Sequence, residues 1–158
     1  MEKQTVIHNT FVIEKRYPAA PEKVFAAFAD AKKKRRWFVE GEHHTVESYE
    51  MDFREGGVEK AQLRFQKSTP VVGGLTCTND TRYMEIVANK RLVFASKMLI
   101  GGNCISASLG TVELLANGSG TDLIFTHQGA FFEGADGPEM RKDGWQKLFG
   151  KLDSELAS

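Results

Sequence analysis

The sequence predicts an α+β domain in which a curved antiparallel sheet of about six to seven strands wraps around a long C-terminal helix, with two short helices after the first strand. Three observations predict it. Strand-like runs of alternating or β-branched residues follow one another between residues 46 and 129, separated mostly by brief turns. Trp145, Leu148, Phe149, Leu152 and Leu156 form an apolar stripe at helical spacing near the C-terminal end. Ahead of the strand-rich region, a segment punctuated by Pro18 and Pro21 carries a shorter helical pattern.

Residues 5–16, TVIHNTFVIEKR, are rich in β-branched residues and suit an opening strand that ends at Tyr17-Pro18. Pro21 suits the first turn of a helix near 21–29, where Val24, Phe25 and Phe28 recur at near-helical spacing; a second short helix follows near 30–36. Across 46–53, alternation puts Tyr49, Met51 and Phe53 on one face and Glu50 and Asp52 on the other. Gly56-Gly57 marks a turn, and Ala61, Leu63 and Phe65 share the inward face of the next strand. KSTPVVGG, 67–74, is the longest loop signal, and strands follow at 75–88, 91–99, 104–115 and 121–129. Their turns fall at Asn89-Lys90, Gly101-Gly102-Asn103 and Asn117 to Gly120, so consecutive strands pair as an antiparallel meander. After Asp136-Gly137-Pro138 the chain ends in the long amphipathic helix. With no repeat, low-complexity segment or linker, residues 1–158 read as a single domain.

A chain of 158 residues with 41% hydrophobic residues and 11 Phe can fill one substantial core. Its 21 basic and 21 acidic side chains cancel, so no overall field draws it to nucleic acid or an anionic membrane. Cys77 and Cys104 have neither metal-ligand spacing nor the density of a disulfide scaffold, and a reducing cytoplasm is the expected compartment. The N-terminal segment lacks an apolar signal region and no later run suits a membrane span, so a soluble, unprocessed chain is expected.

The pieces YPAAPEKVFAAFADAKKKRRWF, DFREGG, YMEIVANKRLVFA, GTDLIFTHQGAFFEG and GWQKLFGKLDSEL come in an order and spacing that resembles the SRPBCC superfamily, with the helix-grip fold of the birch-pollen allergen and START-type lipid-binding domains. The branch it most resembles is the C-terminal domain of the heat-shock-protein-90 ATPase activator, a branch also labelled polyketide-cyclase-like. The resemblance spans nearly the whole chain and implies a deep, largely apolar cavity between sheet and C-terminal helix. The superfamily includes lipid carriers, hormone receptors, aromatase/cyclases and co-chaperones, and small proteins of this branch are often dimeric. The resemblance therefore locates a site without naming its chemistry.

His127 is the only histidine that pattern places on a core-facing strand, on the same side as Leu123 and Phe125. It is open to three readings: a core histidine with its hydrogen bonds satisfied, which is favoured, a polar contact to a ligand, or a general base. Catalysis would need a partner, and Tyr83 with a cavity-facing Glu85 is the best available set. Alternation puts Glu85 with Tyr83 and Val87, unless a bulge switches the faces of that strand. Asp52 of DFREGG lies opposite Phe53 and reads as structural, as do the glycines of its turn.

Adjacent His43-His44, even with His8 or Glu40, Glu42 and Glu47 nearby, do not point at one metal from an extended segment, and neither metal nor cofactor is expected. The run KKKRR, Lys32 to Arg36, reads as a solvated helix face ahead of buried Trp37-Phe38, not as a nucleic-acid footprint. Only the co-chaperone comparison would make it a contact for an acidic partner.

The aromatic and sulfur residues give the firmest signal. Trp37, Phe53, Phe65, Tyr83, Phe94, Met98, Phe125, Trp145 and Phe149 are expected to face the sheet–helix interior, and with His127 and Phe131 they are the expected ligand-contacting set. GAFFEGADG, 129–137, reads as a flap at the cavity mouth or as a loop whose phenylalanines plug the core. The expected function is binding of a small hydrophobic or aromatic molecule, with catalysis not demonstrated and disfavoured. Two alternatives stay open: a cyclase or dehydratase using His127, Tyr83 and Glu85, and a chaperone-associated interaction domain.

Overall fold

The computed structural model describes residues 5–158. Strand β1, Ile7–Tyr17, is followed by helix α1, Pro21–Ala29, and a single α-turn, α2, Ala31–Lys34, which widens into a π-turn over Arg35–Val39. Strands β2 (His44–Met51), β3 (Val58–Phe65), β4 (Thr76–Val87), β5 (Arg91–Ile100), β6 (Asn103–Asn117) and β7 (Gly120–Phe131) precede helix α3, Pro138–Ala157. All neighbouring strands pair antiparallel in one seven-stranded sheet of order β1-β7-β6-β5-β4-β3-β2, so β1 and β2 are its edges. This is the α+β helix-grip arrangement expected from the pattern, with β7 running two residues further than alternation suggested.

The sheet bends where its register shifts, between Val46 and Ser48, Tyr83 and Glu85, and Met98 and Leu99. An extra residue in one strand increases local twist and curls the sheet. The β2–β3 turn closes tightly at Gly57, where a Cβ would lie 2.0 Å from the carbonyl oxygen of Asp52, so no side chain fits there.

The helix α3 packs chiefly against the π-turn, β1 and α1, and α1 in turn packs against β6 and β7. Buried Phe149, Leu152 and Leu156 of α3 meet Ile13, Val24, Phe28, Trp37 and Leu123 in one core. Burial of each large apolar side chain there stabilises the fold by about 1.5–3 kcal/mol before ordering costs. Tyr17 is fully buried and its hydroxyl donates to the Phe149 carbonyl at 2.8 Å, tying β1 to the middle of α3.

One expectation fails at α2. The KKKRR run does not form a solvated face throughout: Lys34 is only 5% exposed. Lys34 precedes Trp37 and Phe38 by three and four residues, so helical spacing puts it on their buried side. Arg35 is half-buried and Arg36 exposed, and both are paired, with Glu40 at 2.9 Å and Glu155 at 2.5 Å.

Candidate functional site

Strand register builds a concave trough from the sequence upward. Phe131, Ser106, Met98 and Asn79 stand side by side on β7, β6, β5 and β4. Beside them run Asn9, Gly129, Ser108, Ser96 and Thr81, and then Phe11, His127, Gly110, Phe94 and Tyr83. A row of small polar residues thus lies between rows that carry the rings. Ser96 and Ser108 are half-buried although Thr81, Ser106 and His127 around them are buried, so the middle of this inner face is reachable. The Thr81 and Ser96 hydroxyls bond each other at 2.7 Å.

The glycines in these rows let rings lie against the sheet. A Cβ at Gly110 would sit 2.5 Å from the Phe94 ring, and one at Gly129 would sit 2.8 Å from His127 Cε1. Trp145 of α3 faces the trough from above, 4.5 Å from Phe125 and 6.4 Å from Phe94 between ring centroids.

His127 is 2% exposed and stacks flat on Phe11, centroids 4.6 Å apart. Its Nδ1 is buried and has no hydrogen-bond partner among the described residues, and Asn9 Oδ1 shares that condition. Burial, and secondarily the Arg141 guanidinium, hold the imidazole down at about 4, so it is neutral at pH 7. A histidine without an acid, nucleophile or orienting carboxylate on its nitrogens is a polar handle in an apolar wall.

Arg141 was not singled out by the sequence. It is 8% exposed and makes a bidentate pair with Asp136, Nε to Oδ2 at 2.9 Å and Nη2 to Oδ1 at 2.8 Å. Nη2 also donates to Ser106 Oγ at 2.9 Å and reaches Met98 Sδ at 3.5 Å, and the guanidinium lies over Phe131. The signal was present, because Arg141 continues the Trp145–Phe149 stripe one turn earlier. The pair ties the 132–137 connection to α3, and Phe131 is the buried last residue of β7, not part of a loop. Cys77, 5% exposed, lies within the field of the same pair, and burial pushes its thiol up to about 11.

A second buried polar cluster closes the far side. Lys34 Nζ donates to Glu59 Oε1 at 3.1 Å, Tyr83 donates to the same oxygen at 3.0 Å, and Tyr49 donates to Oε2 at 2.6 Å. Lys34 also lies over Phe38, 4.5 Å from its centroid. Burial, then the Glu59 charge, raises both phenols well above the ordinary tyrosine range. Glu59 alternates with Ala61 and Leu63, and that period-two placement was the missed cue.

Other candidates separate. Glu85 does not join Tyr83 and His127: the bulge after Tyr83 turns it outward, and its carboxylate, 43% exposed, pairs with Arg91 at 2.6 Å. With the Tyr83 hydroxyl committed to Glu59, the three-residue acid/base set is not assembled. Trp37 donates Nε1–H to the Ala27 carbonyl at 2.8 Å within the core. Phe53 packs edge-on to Phe25 and Tyr83, whereas Phe65 lies opposite His44 and joins no ring pair among the described residues. Asp52 is an exposed partner of Arg54. His44 bonds the Val39 carbonyl at 2.6 Å, while His8 and His43 are exposed. No grouping of three His, Cys, Asp or Glu suited to a metal occurs among the described residues. No helix among them is long and apolar enough to cross a membrane.

Two surface depressions lie elsewhere. One of ≈ 360 Å³ is lined by Glu50 to Asp52, Arg54 and Gly56 to Val58, and the other, of ≈ 150 Å³, lies between α1 and the end of α3. Both are open to solvent, and neither borders the orphaned polar atoms or the ring walls, so the trough is the better candidate site.

The model of the family described as Activator of Hsp90 ATPase homolog 1-like protein matches residues 18–157. The chain is 41% identical to the Mll3558 protein from Rhizobium loti, covering 96% of this chain and 99% of that one, with a TM-score of 0.83. An uncharacterized protein from Rhizobium leguminosarum is 34% identical over 96% of each chain, with a TM-score of 0.86. The AHSA1-like protein from Aeromonas hydrophila shares the fold at 17% identity, covering 94% of this chain and 92% of that one, with a TM-score of 0.69. No curated protein matches the chain at a significant level.

Proposed function

This chain belongs to the Activator of Hsp90 ATPase homolog 1-like family, within the SRPBCC superfamily, and from that premise we propose that it binds a small, largely apolar, ring-bearing molecule in the trough between the sheet and α3. The observation that carries this reading is the reachable Ser96–Ser108 strip set among buried neighbours and walled by Phe94, Phe125, Phe131 and Trp145. Aromatic walls around a few polar groups suit ring-shaped ligands. Catalysis has weaker support, because His127 lacks a partner that would move a proton. The chaperone-contact reading loses support from the basic run, whose Lys34 is buried and whose two arginines are already paired.

Naphthalene serves as a neutral ring probe, with thermal unfolding as the readout. A ligand at a hundred times its dissociation constant stabilises by about 2.7 kcal/mol, a readily measured shift. Saturable stabilisation of the native chain is expected, and Ser108→Phe, which fills the strip, abolishes it. Stabilisation that survives Ser108→Phe in a folded variant removes the trough as the site. A native chain that responds to no member of a panel of aromatic and acyl compounds removes the binding reading.

A further inference from the structure

We infer that the free edge of β1 is the surface on which a second copy of this chain docks, β1 pairing antiparallel with its own copy so that two seven-stranded sheets join into one. β1 pairs only with β7, in an unbroken register from Ile7 opposite Phe131 to Tyr17 opposite Thr121. Alternate residues of such an edge strand turn their N–H and C=O groups away from the sheet. No backbone group of Ile7–Tyr17 is bonded on that side among the described residues. The other edge is blunted. Strand β2 has 8 residues, shifts register between Val46 and Ser48, and carries Glu47 there, held by Arg64 at 3.2 Å and by Thr76 at 3.0 Å. A bulge and a tethered charge keep an edge from pairing, and β1 has neither a bulge nor a proline along its 11 residues. A row of open backbone groups also dictates the shape of what covers it, which is another extended strand.

The side chains of β1 fit its own copy. With Val12 opposite Val12 on the two-fold axis, the convex row sets Thr10 against Glu14 and His8 against Arg16. Val12 is 45% exposed, and the pair of them forms an apolar centre. Glu14 is exposed and has no partner among the described residues, and the Thr10 hydroxyl can donate to its carboxylate. Lys15 and Arg16 already have partners on their own chain, Asp153 at 2.6 Å and Asp122 at 3.6 Å, so they bring no unpaired charge to the contact. A parallel pairing would instead set Glu14 on Glu14, and like charges directly opposite are destabilising. The closed two-fold, antiparallel arrangement follows.

Sedimentation velocity of the native chain over a concentration series is expected to show a species of about twice 17.6 kDa that grows with concentration. Val12→Lys puts two ammonium groups on the axis and leaves only the monomer. Leu109→Lys, at an exposed apolar position on the same convex face two strands away, leaves the dimer intact. In a Cys104→Ser background, which removes the exposed native thiol, a short bis-maleimide links Val12→Cys chains in pairs and does not link Leu115→Cys chains. Each variant is checked for folding by circular dichroism. A native chain that stays monomeric throughout overturns the inference. So does a dimer that Val12→Lys leaves intact, or one that Leu109→Lys dissociates, or one in which Leu115→Cys links in place of Val12→Cys.

Discussion

His127 and Phe11 lie ring on ring, 5° from parallel, so the imidazole of β7 is sealed from below by the edge strand β1. Protonation would place a charge in that stack with no carboxylate on the ring. Its pKa is depressed to about 4, from 6.5 when unfolded. Between those values the unfolded chain binds the extra proton. Stability from this residue is therefore fully present above pH 6.5 and is lost as pH falls towards 4, by about 3 kcal/mol. Urea unfolding of native and His127→Phe chains from pH 4 to 8 checks it. The native chain has the steeper rise, and parallel curves would refute the assignment.

Lys34 and Glu59 form a buried ion pair that joins the π-turn to β3, with Tyr49 and Tyr83 on the same carboxylate. Removing one member leaves an uncompensated charge, so Lys34→Met is expected to cost about 3–5 kcal/mol. Lys34→Met combined with Glu59→Gln removes both charges, and the amide oxygen still accepts from one phenol while its N–H can donate to the other phenol's oxygen. The double variant is therefore more stable than the single one, as read from urea midpoints. A double variant no better than the single would show that burial of charge is not what Lys34 relieves.

The order of elements was legible because each is encoded locally: alternation gave the strands, glycine- and asparagine-rich turns gave the meander, and the Trp145–Leu156 stripe gave α3. The ring-bearing wall was legible for the same reason in Phe94, Phe125 and Trp145. What escaped was every polar group whose partner lies far along the chain. Lys34 was read with its charged neighbours, although its buried state depends on Glu59, 25 residues away. Glu85 shows the converse, since a one-residue bulge reverses its face and alternation cannot register a bulge before the pairing is known. Asn9 and Arg141 both continue apolar stripes, and a polar residue on such a stripe was the available warning.

Arg141 and Asp136 bracket the connection between β7 and α3, with side chains 9% and 26% exposed. Arg141→Met is expected to lower stability by about 2 kcal/mol through loss of charge-assisted hydrogen bonds to Asp136 and Ser106. The amides of residues 132–137 should exchange with solvent faster, whereas those of β3 change no more than global stability requires. Hydrogen exchange followed by mass spectrometry reads both regions at once. Unchanged exchange in 132–137 would show that the pair does not hold this connection in place.

Three glycines separate a shaped surface from ordinary helix propensity. A Cβ at Gly110 falls 2.5 Å from Phe94, and one at Gly129 falls 2.8 Å from His127, so each alanine must push a ring that packs against Phe125 or Phe11. Overpacking of this kind costs about 1–3 kcal/mol. Gly144, inside α3, has nothing within 4 Å of its Cβ position. Alanine there only reduces the backbone freedom of the unfolded chain and is expected to stabilise by about 0.5–1 kcal/mol. Thermal melts of the three variants should move in opposite directions, down for Gly110→Ala and Gly129→Ala and up for Gly144→Ala. The first two also displace rings from their seats on the sheet, so naphthalene affinity changes in both and not in Gly144→Ala. Unaltered affinity in Gly110→Ala and Gly129→Ala would mean that the Phe94 and His127 rings do not form the trough wall that meets the ligand.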